Sequence, residues 1–206
     1  MMNKINYQKE LDKVIEQIKQ EGITPSLLLH ACCAPCSSYC LEYLSQYFEI
    51  TVFFFNPNIS NKEEYEYRLS EEKRLISQMN FKNSVKIVEG EYKPESFFSA
   101  AKGLENEPEG GKRCKKCFEL RLLEAVKKAE ELDCDYVTTT LSISPLKNAQ
   151  LLNEIGSGFA EQSGAKWLFS DFKKREGYKR SIVLSQKYEL YRQNYCGCIF
   201  SQQQSK

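Results

Sequence analysis

The chain has 206 residues and a mass of 23.9 kDa; 41% of its residues are hydrophobic, 28% are charged, and its formal net charge is +1. That is enough apolar content for one core. The charge is too balanced for a polycation, so a nucleic-acid partner would be met by local patches. No window approaches the roughly 20 apolar residues that span a bilayer, and Met1 to Glu21 lacks the apolar stretch of a signal peptide. A cytoplasmic protein with no membrane partner is expected, its nine cysteines reduced or holding metal.

Residues 4–20 carry Ile5, Leu11, Val14, Ile15 and Ile18 among charges, the pattern of an amphipathic helix. Thr24-Pro25 breaks it, and Ser26 to His30 reads as a short buried strand. A helix is expected over 36–47, then a second buried strand over 49–55, stopped by Asn56-Pro57-Asn58. A charged helix over 62–79, a short strand over 85–88 and a short helix over 94–101 follow. Residues 105–111 are acidic and rich in Pro and Gly, the clearest loop. Beyond it come a helix over 114–132, a β-branched strand over 136–141, a helix over 147–160, a strand over 167–169 and a helix over 178–192.

Strands that alternate with helices of this length predict an α/β fold, a Rossmann-like parallel sheet of about five strands flanked by helices. Runs that are apolar at consecutive positions, such as 27–29 and 52–55, fit strands buried on both faces. One domain over 1–206 is expected, with the 4–20 helix at its start and a tail at 193–206. In such sheets ligands sit beyond the carboxyl ends of the strands. The turns at Cys32, Asn56, Ser142 to Lys147 and Ser170-Asp171 should therefore share one rim.

Eight of the nine cysteines fall in three groups: Cys32, Cys33 and Cys36, with Cys40 a turn on; Cys114 and Cys117; and Cys196 and Cys198. A cytosolic chain uses closely spaced cysteines for metal or redox chemistry more than for stapling. Cys32-Cys33 with Cys114-x-x-Cys117 supplies four thiolates from two segments, enough for a tetrahedral ion or an iron–sulfur cube. An adjacent Cys-Cys pair is an unusual zinc knuckle, so a cluster stands ahead of zinc, and zinc ahead of metal-free redox chemistry. Cys33-Ala-Pro-Cys36 at a strand-to-helix junction has a thioredoxin-like rival reading, in which the helix N-terminus lowers a thiol pKa. Cys196-Gly-Cys198 suits a strained, readily reduced disulfide, against the alternative of ordinary thiols in a tail. Cys134 reads as a small buried hydrophobe.

His30, the sole histidine, is either a hydrogen-bonded core residue or a participant beside Cys32. Asp171 is a candidate metal ligand or proton donor, or else a helix cap. The segment Phe172 to Arg180 interleaves five basic residues with two aromatics, a candidate RNA contact if it is not merely a solvated face.

Taken in order, His30-x-Cys-Cys-x-Pro-Cys36, Phe55-Asn-Pro-Asn-Ile59 with Glu64, Tyr65 and Arg68, Arg113-Cys-x-x-Cys-Phe118, Thr138-Thr-Thr-Leu-x-x-Ser-Pro145, Phe172-Lys-Lys-x-x-Gly-Tyr178 and Leu190-Tyr-Arg-Gln-x-Tyr-Cys-Gly-Cys198 resemble the cobalamin-independent epoxyqueuosine reductase family. The resemblance covers about residues 26–201. It implies reduction of the epoxide of epoxyqueuosine, at the wobble position of certain tRNAs, to the cyclopentene of queuosine, the last step of queuosine synthesis. It also implies a fold like that of the adenine-nucleotide alpha hydrolases, a [4Fe–4S] cluster and a further iron nearby. By motif position Cys32, Cys33, Cys114 and Cys117 would hold the cluster, and Cys196 and Cys198 would form a redox-active disulfide. For the second iron, Cys36 with Asp171 is our own hypothesis. The chain has no G-x-G-x-x-G nucleotide signature, so electrons are expected from an external donor. A tRNA thiolation or adenylation enzyme would need a glycine-rich phosphate loop where this chain has His30-Ala-Cys-Cys33. A zinc-stabilised RNA-binding module is the non-enzymatic alternative.

Overall fold

Three consecutive leucines, Leu27 to Leu29, are each completely buried, because the strand that carries them is covered on both faces. The computed structural model describes residues 5–204. Lys4, where the first helix was expected to start, and Ser205 and Lys206 at the end of the expected tail lie outside the described residues. The central strand β1 (Ser26–Ala31) pairs in parallel with β2 (Glu49–Phe54) and β4 (Tyr136–Thr139), and β3 (Val85–Glu89) and β5 (Lys166–Trp167) form the edges. The order is β3-β2-β1-β4-β5. The chain reverses its direction of growth between β1 and β4, and the crevice at their carboxyl ends is where such sheets bind ligands.

Eight helices cover the sheet among the described residues: α1 (Tyr7–Glu21), α2 (Ala34–Leu44), α3 (Lys62–Gln78), α4 (Pro94–Ala101), α5 (Lys112–Glu131), α6 (Ala149–Ala160), α7 (Gly177–Lys187) and α8 (Ile199–Gln204). Alternation along β1 divides the core. Leu27 and Leu29 pack with Leu11 of α1, Leu41 of α2 and Leu75 of α3, while Leu28 packs with Leu122, Ala125 and Val126 of α5 and Leu152 of α6. Each such leucine, fully withdrawn from water, contributes about 1.5–3 kcal/mol.

Several element ends differ from the sequence expectation, and side chains decide most of them. The 136–141 strand stops at Thr139, whose hydroxyl accepts from Leu141 N at 3.2 Å and starts a 3-10 turn, Thr140–Ile143. The strand expected at 167–169 runs over Lys166–Trp167 instead, and beyond it Leu168 O accepts from the Thr138 hydroxyl at 2.8 Å. The helix expected at 147–160 begins at Ala149, where Asn148 Oδ1 accepts from Gln150 N and Leu151 N. The helix expected to reach 192 ends at Lys187, and Glu189 takes a left-handed φ of 49°. Residues 188–198 then run as an irregular strap across the carboxyl rim. It is tied down by Arg74 to Tyr188 O (3.0 Å) and Glu189 O (3.2 Å), and by Tyr191 N to Glu71 Oε2 (3.0 Å).

Candidate functional site

Pro35 in the first turn of α2 starts that helix two residues earlier than expected, with Cys33 in extended conformation before it. Cys36 thereby falls in the first helical turn. The Sγ atoms of Cys32, Cys33 and Cys36 all lie within 4.8 Å of one another, and Cys32 and Cys33 are 3.7 Å apart. This group could hold a metal ion. The three thiols, Cys33 buried and the other two half-buried, share charge unequally: hydrogen bonds from Cys33 and Cys36, then Lys147 and Arg121, hold the Cys32 thiol well below its ordinary pKa. Cys33 is pushed up to about 12, chiefly by its bond to Cys32, and Cys36 rises for the same reason. Of the three, Cys32 is therefore the thiol that ionises first, with Cys33 and Cys36 donating to it.

The trio lines a cavity of about 400 Å³ at the carboxyl ends of β1 and β4, together with Asn56, Arg68, Arg121, Lys147, Tyr195 and Cys196. A small adjoining cavity of about 20 Å³ is lined by Cys114, Cys117, Cys196 and Cys198. Glu109, Lys147 and Cys196 belong to both walls. Seven of the nine cysteines therefore line two contiguous cavities, with Cys196 at the junction. Burial pushes the thiols of Cys114 and Cys198 up, and that of Cys117 up to about 12. Several of these sulfurs accept hydrogen bonds: Cys32 from Thr140 Oγ1 at 3.5 Å, Cys114 from Gly110 N at 3.2 Å and Cys198 from Ser201 N at 3.3 Å.

The strap places Cys196 and Cys198. Arg68 Nη1 and Asn58 Nδ2 bond Cys196 O at 3.3 and 3.4 Å, and Ser60 N bonds Gly197 O at 3.2 Å. Arg68 is itself fixed by Glu64 at 2.7 Å and lies over the Tyr195 ring. Gly197 has φ +107°, and a Cβ there would stand 3.0 Å from Ile59 and 3.1 Å from the Arg68 guanidinium. Only glycine fits that point of the strap.

Two buried arginines of α5 are short of acceptors. Arg121, 1% exposed, bonds Asn56 Oδ1 at 2.5 Å, but its Nε has no partner and no carboxylate pairs with it among the described residues. Arg113, also 1% exposed, gives Nη1 to three loop carbonyls, while Nε and Nη2 stay unbonded. A buried guanidinium without a counter-charge is costly. Its position next to thiols is favourable once the thiols carry negative charge. Sequence reading passed over Arg121. Its signal was a charged residue inside the apolar stripe Phe118, Leu122, Ala125, Val126 of α5, four residues after Cys117.

Other candidates fall elsewhere. His30 is fully buried and tethers three strand ends, with Nδ1 2.9 Å from Thr139 Oγ1 and Nε2 3.1 Å from Phe55 O. Burial, with Arg121 adding to it, pushes its pKa down to about 3, so it is a neutral core residue. Cys40 is packed in the α2 core and Cys134 in the α5 core. Asp171 is not brought to the thiols. It lines a neighbouring cavity and pairs with Lys173 at 2.7 Å. The basic segment is largely neutralised within the molecule: Arg175 pairs with Asp12, Arg180 with Glu42, Lys179 with Glu176, and Phe172 is core.

The family model described as epoxyqueuosine reductase QueH matches residues 27–204. Proteins of that name are similar to the chain over most of both lengths. The Staphylococcus epidermidis protein is 48% identical over 202 residues, covering 96% of this chain and 85% of its own. The Streptococcus pyogenes protein is 44% identical over 96% of this chain and 78% of its own. A more distant relative from Thermotoga maritima is 34% identical over 85% of this chain and 90% of its own.

Proposed function

This chain belongs to the epoxyqueuosine reductase QueH family, and on that footing we propose that it reduces epoxyqueuosine to queuosine at the wobble position of tRNA. The observation that carries the chemistry is the meeting of seven thiols along two contiguous cavities at the switch point of the sheet. Both carbon–oxygen bonds of the epoxide break, a carbon–carbon double bond forms, and the oxygen leaves as water; two electrons and two protons are consumed.

The donor set fits an iron–sulfur centre. Thiolates bearing a net negative cluster would meet the buried, acceptor-poor guanidiniums of Arg113 and Arg121. Cys32, Cys33, Cys114 and Cys117 would hold a [4Fe–4S] cluster, with Cys36 the thiol left to face a further iron; Asp171, turned toward Lys173, is left out of that ligand set. When bound, such a centre supplies electrons at low potential and a Lewis-acidic metal.

The chain's own groups do the rest. The 400 Å³ cavity takes the modified base out of the anticodon stack, as enzymes acting on single bases do. The Lys147 ammonium faces that cavity; burial would lower its pKa, but Cys196 and Cys32 outweigh burial and raise it, so it stays charged. It stands ready at Nζ to hydrogen-bond the departing oxygen. Cys196 and Cys198, as a dithiol, can release two electrons and two protons on forming a disulfide, which matches the reaction's demand; an external donor then restores the thiols.

The test is direct. Anaerobically prepared protein is analysed for iron and sulfide, then given tRNA containing epoxyqueuosine and a chemical reductant. Nucleoside mass spectrometry should show loss of one oxygen atom. A zinc-bearing protein that takes up neither iron nor sulfide and leaves the nucleoside intact would refute the proposal.

A further inference from the structure

Beside the thiol-lined cavity lies a second, more open one of about 780 Å³, nearly twice as large. It runs between the start of α6, the turn at 171–174 and the start of α7. The two share Pro145, Lys147 and Tyr178, so a chain leaving one enters the other. Lys147, Lys173, Lys174 and Lys179 line it, against Asp171 and Glu176. Asp171 neutralises Lys173 and Glu176 neutralises Lys179. Lys174 has no carboxylate partner among the described residues, whereas Lys147 stands at the wall shared with the thiols of Cys32 and Cys196, so the groove's own excess is about one positive charge, at Lys174. Tyr178 stands at the lip between the cavities.

The other flank of the strap has the opposite sign. A cavity of about 640 Å³ there is lined by Glu63, by Glu64, whose charge Arg68 already answers, and by Tyr67 and Tyr195, with no lysine or arginine in its wall. A phosphodiester chain leaving the site meets repulsion on that side and attraction on this one.

We propose that the Lys147–Lys174 groove carries the phosphodiester backbone flanking the nucleotide whose base enters the thiol-lined cavity. RNA then leaves the site over Tyr178 and toward Lys174 and Lys179, away from Glu63. The inference rests on the tRNA substrate proposed above. It narrows the expected RNA contact: of the five cations in 172–180, Lys174 alone has no ion-pair partner among the described residues, and Lys147, from a different loop, marks the wall where the groove joins the thiol-lined cavity.

Binding to an unmodified anticodon stem-loop tests the groove without any turnover. Lys174→Glu should weaken binding by about tenfold near physiological salt and flatten the slope of log affinity against log salt by about one. Lys174→Gln should show a smaller loss in the same direction. Lys82→Glu, the same charge change between α3 and β3 at the opposite rim of the sheet, should leave affinity unchanged. Wild-type affinity and salt slope in both Lys174 variants overturns the groove, as does an equal loss in Lys82→Glu. These outcomes are separate from the reductase reading: a wild-type protein that fails to deoxygenate epoxyqueuosine tRNA defeats that reading, while loss of stem-loop binding in Lys174→Glu alone still supports the groove.

Discussion

Glu72 of α3 is completely buried, and neither carboxyl oxygen receives a hydrogen bond among the described residues. The nearby Ser37 hydroxyl spends its hydrogen on Cys33 O at 3.1 Å. Burial therefore pushes the Glu72 pKa from 4.5 up to about 8, and the group is a neutral acid at neutral pH. Its folded pKa lies above its unfolded one, so the stabilising contribution is fully present below about pH 4.5 and is lost as pH rises toward 8. In between, the folded chain holds a proton that the unfolded chain has released, and stability falls by about 1.4 kcal/mol per unit. At about pH 7.5 that amounts to three units, or about 4 kcal/mol. Glu72→Gln keeps the shape and removes the titration. Urea denaturation of the metal-free, reduced protein between about pH 5 and 8 would measure it. The variant should gain on the wild type steadily as pH rises. His30, also buried, titrates alike in both proteins and cancels in the difference. A difference that stays flat across this range, or a variant less stable at every pH, would refute the buried-acid reasoning.

Arg121→Met should lower iron and sulfide content after reconstitution. It should leave the metal-free protein no less stable, because the lost bond to Asn56, worth about 1.5–3 kcal/mol, is offset by relief of a buried charge; unfolding of the variant at much lower urea would show that Arg121 is a structural strut instead. Cys114→Ser should abolish iron and sulfide binding, whereas Cys198→Ser should retain both and lose turnover; full activity of Cys198→Ser with a chemical reductant would confine that thiol to electron delivery. Gly197→Ala forces a side chain into a left-handed backbone against Ile59 and Arg68, at a cost of about 1–3 kcal/mol. It should displace Cys196, read as an altered alkylation rate of that thiol in the metal-free protein.

Residue order alone made the architecture legible. Apolar runs at 27–29 and 52–55 separated by amphipathic helices admit little besides a doubly covered parallel sheet, and the ordered cysteine motifs pointed to the family and to all seven thiols that line the two cavities. Those signals are local, a few residues long, and survive without knowledge of any contact. What the tertiary structure decided was which charges are spent and which are free. Phe172 to Arg180 reads as either a candidate RNA contact or a solvated basic face. Yet Arg175 meets Asp12 and Arg180 meets Glu42, partners well over a hundred residues away, which no local pattern encodes. Asp171, a plausible ligand by its place after β5, turns to Lys173 instead. Arg121, which sequence reading passed over, is a buried guanidinium among thiols. Secondary structure follows from periodicity that neighbours in sequence share. The charge balance of a site follows from which remote side chains the sheet brings within hydrogen-bonding distance, and that is settled only when the chain has folded.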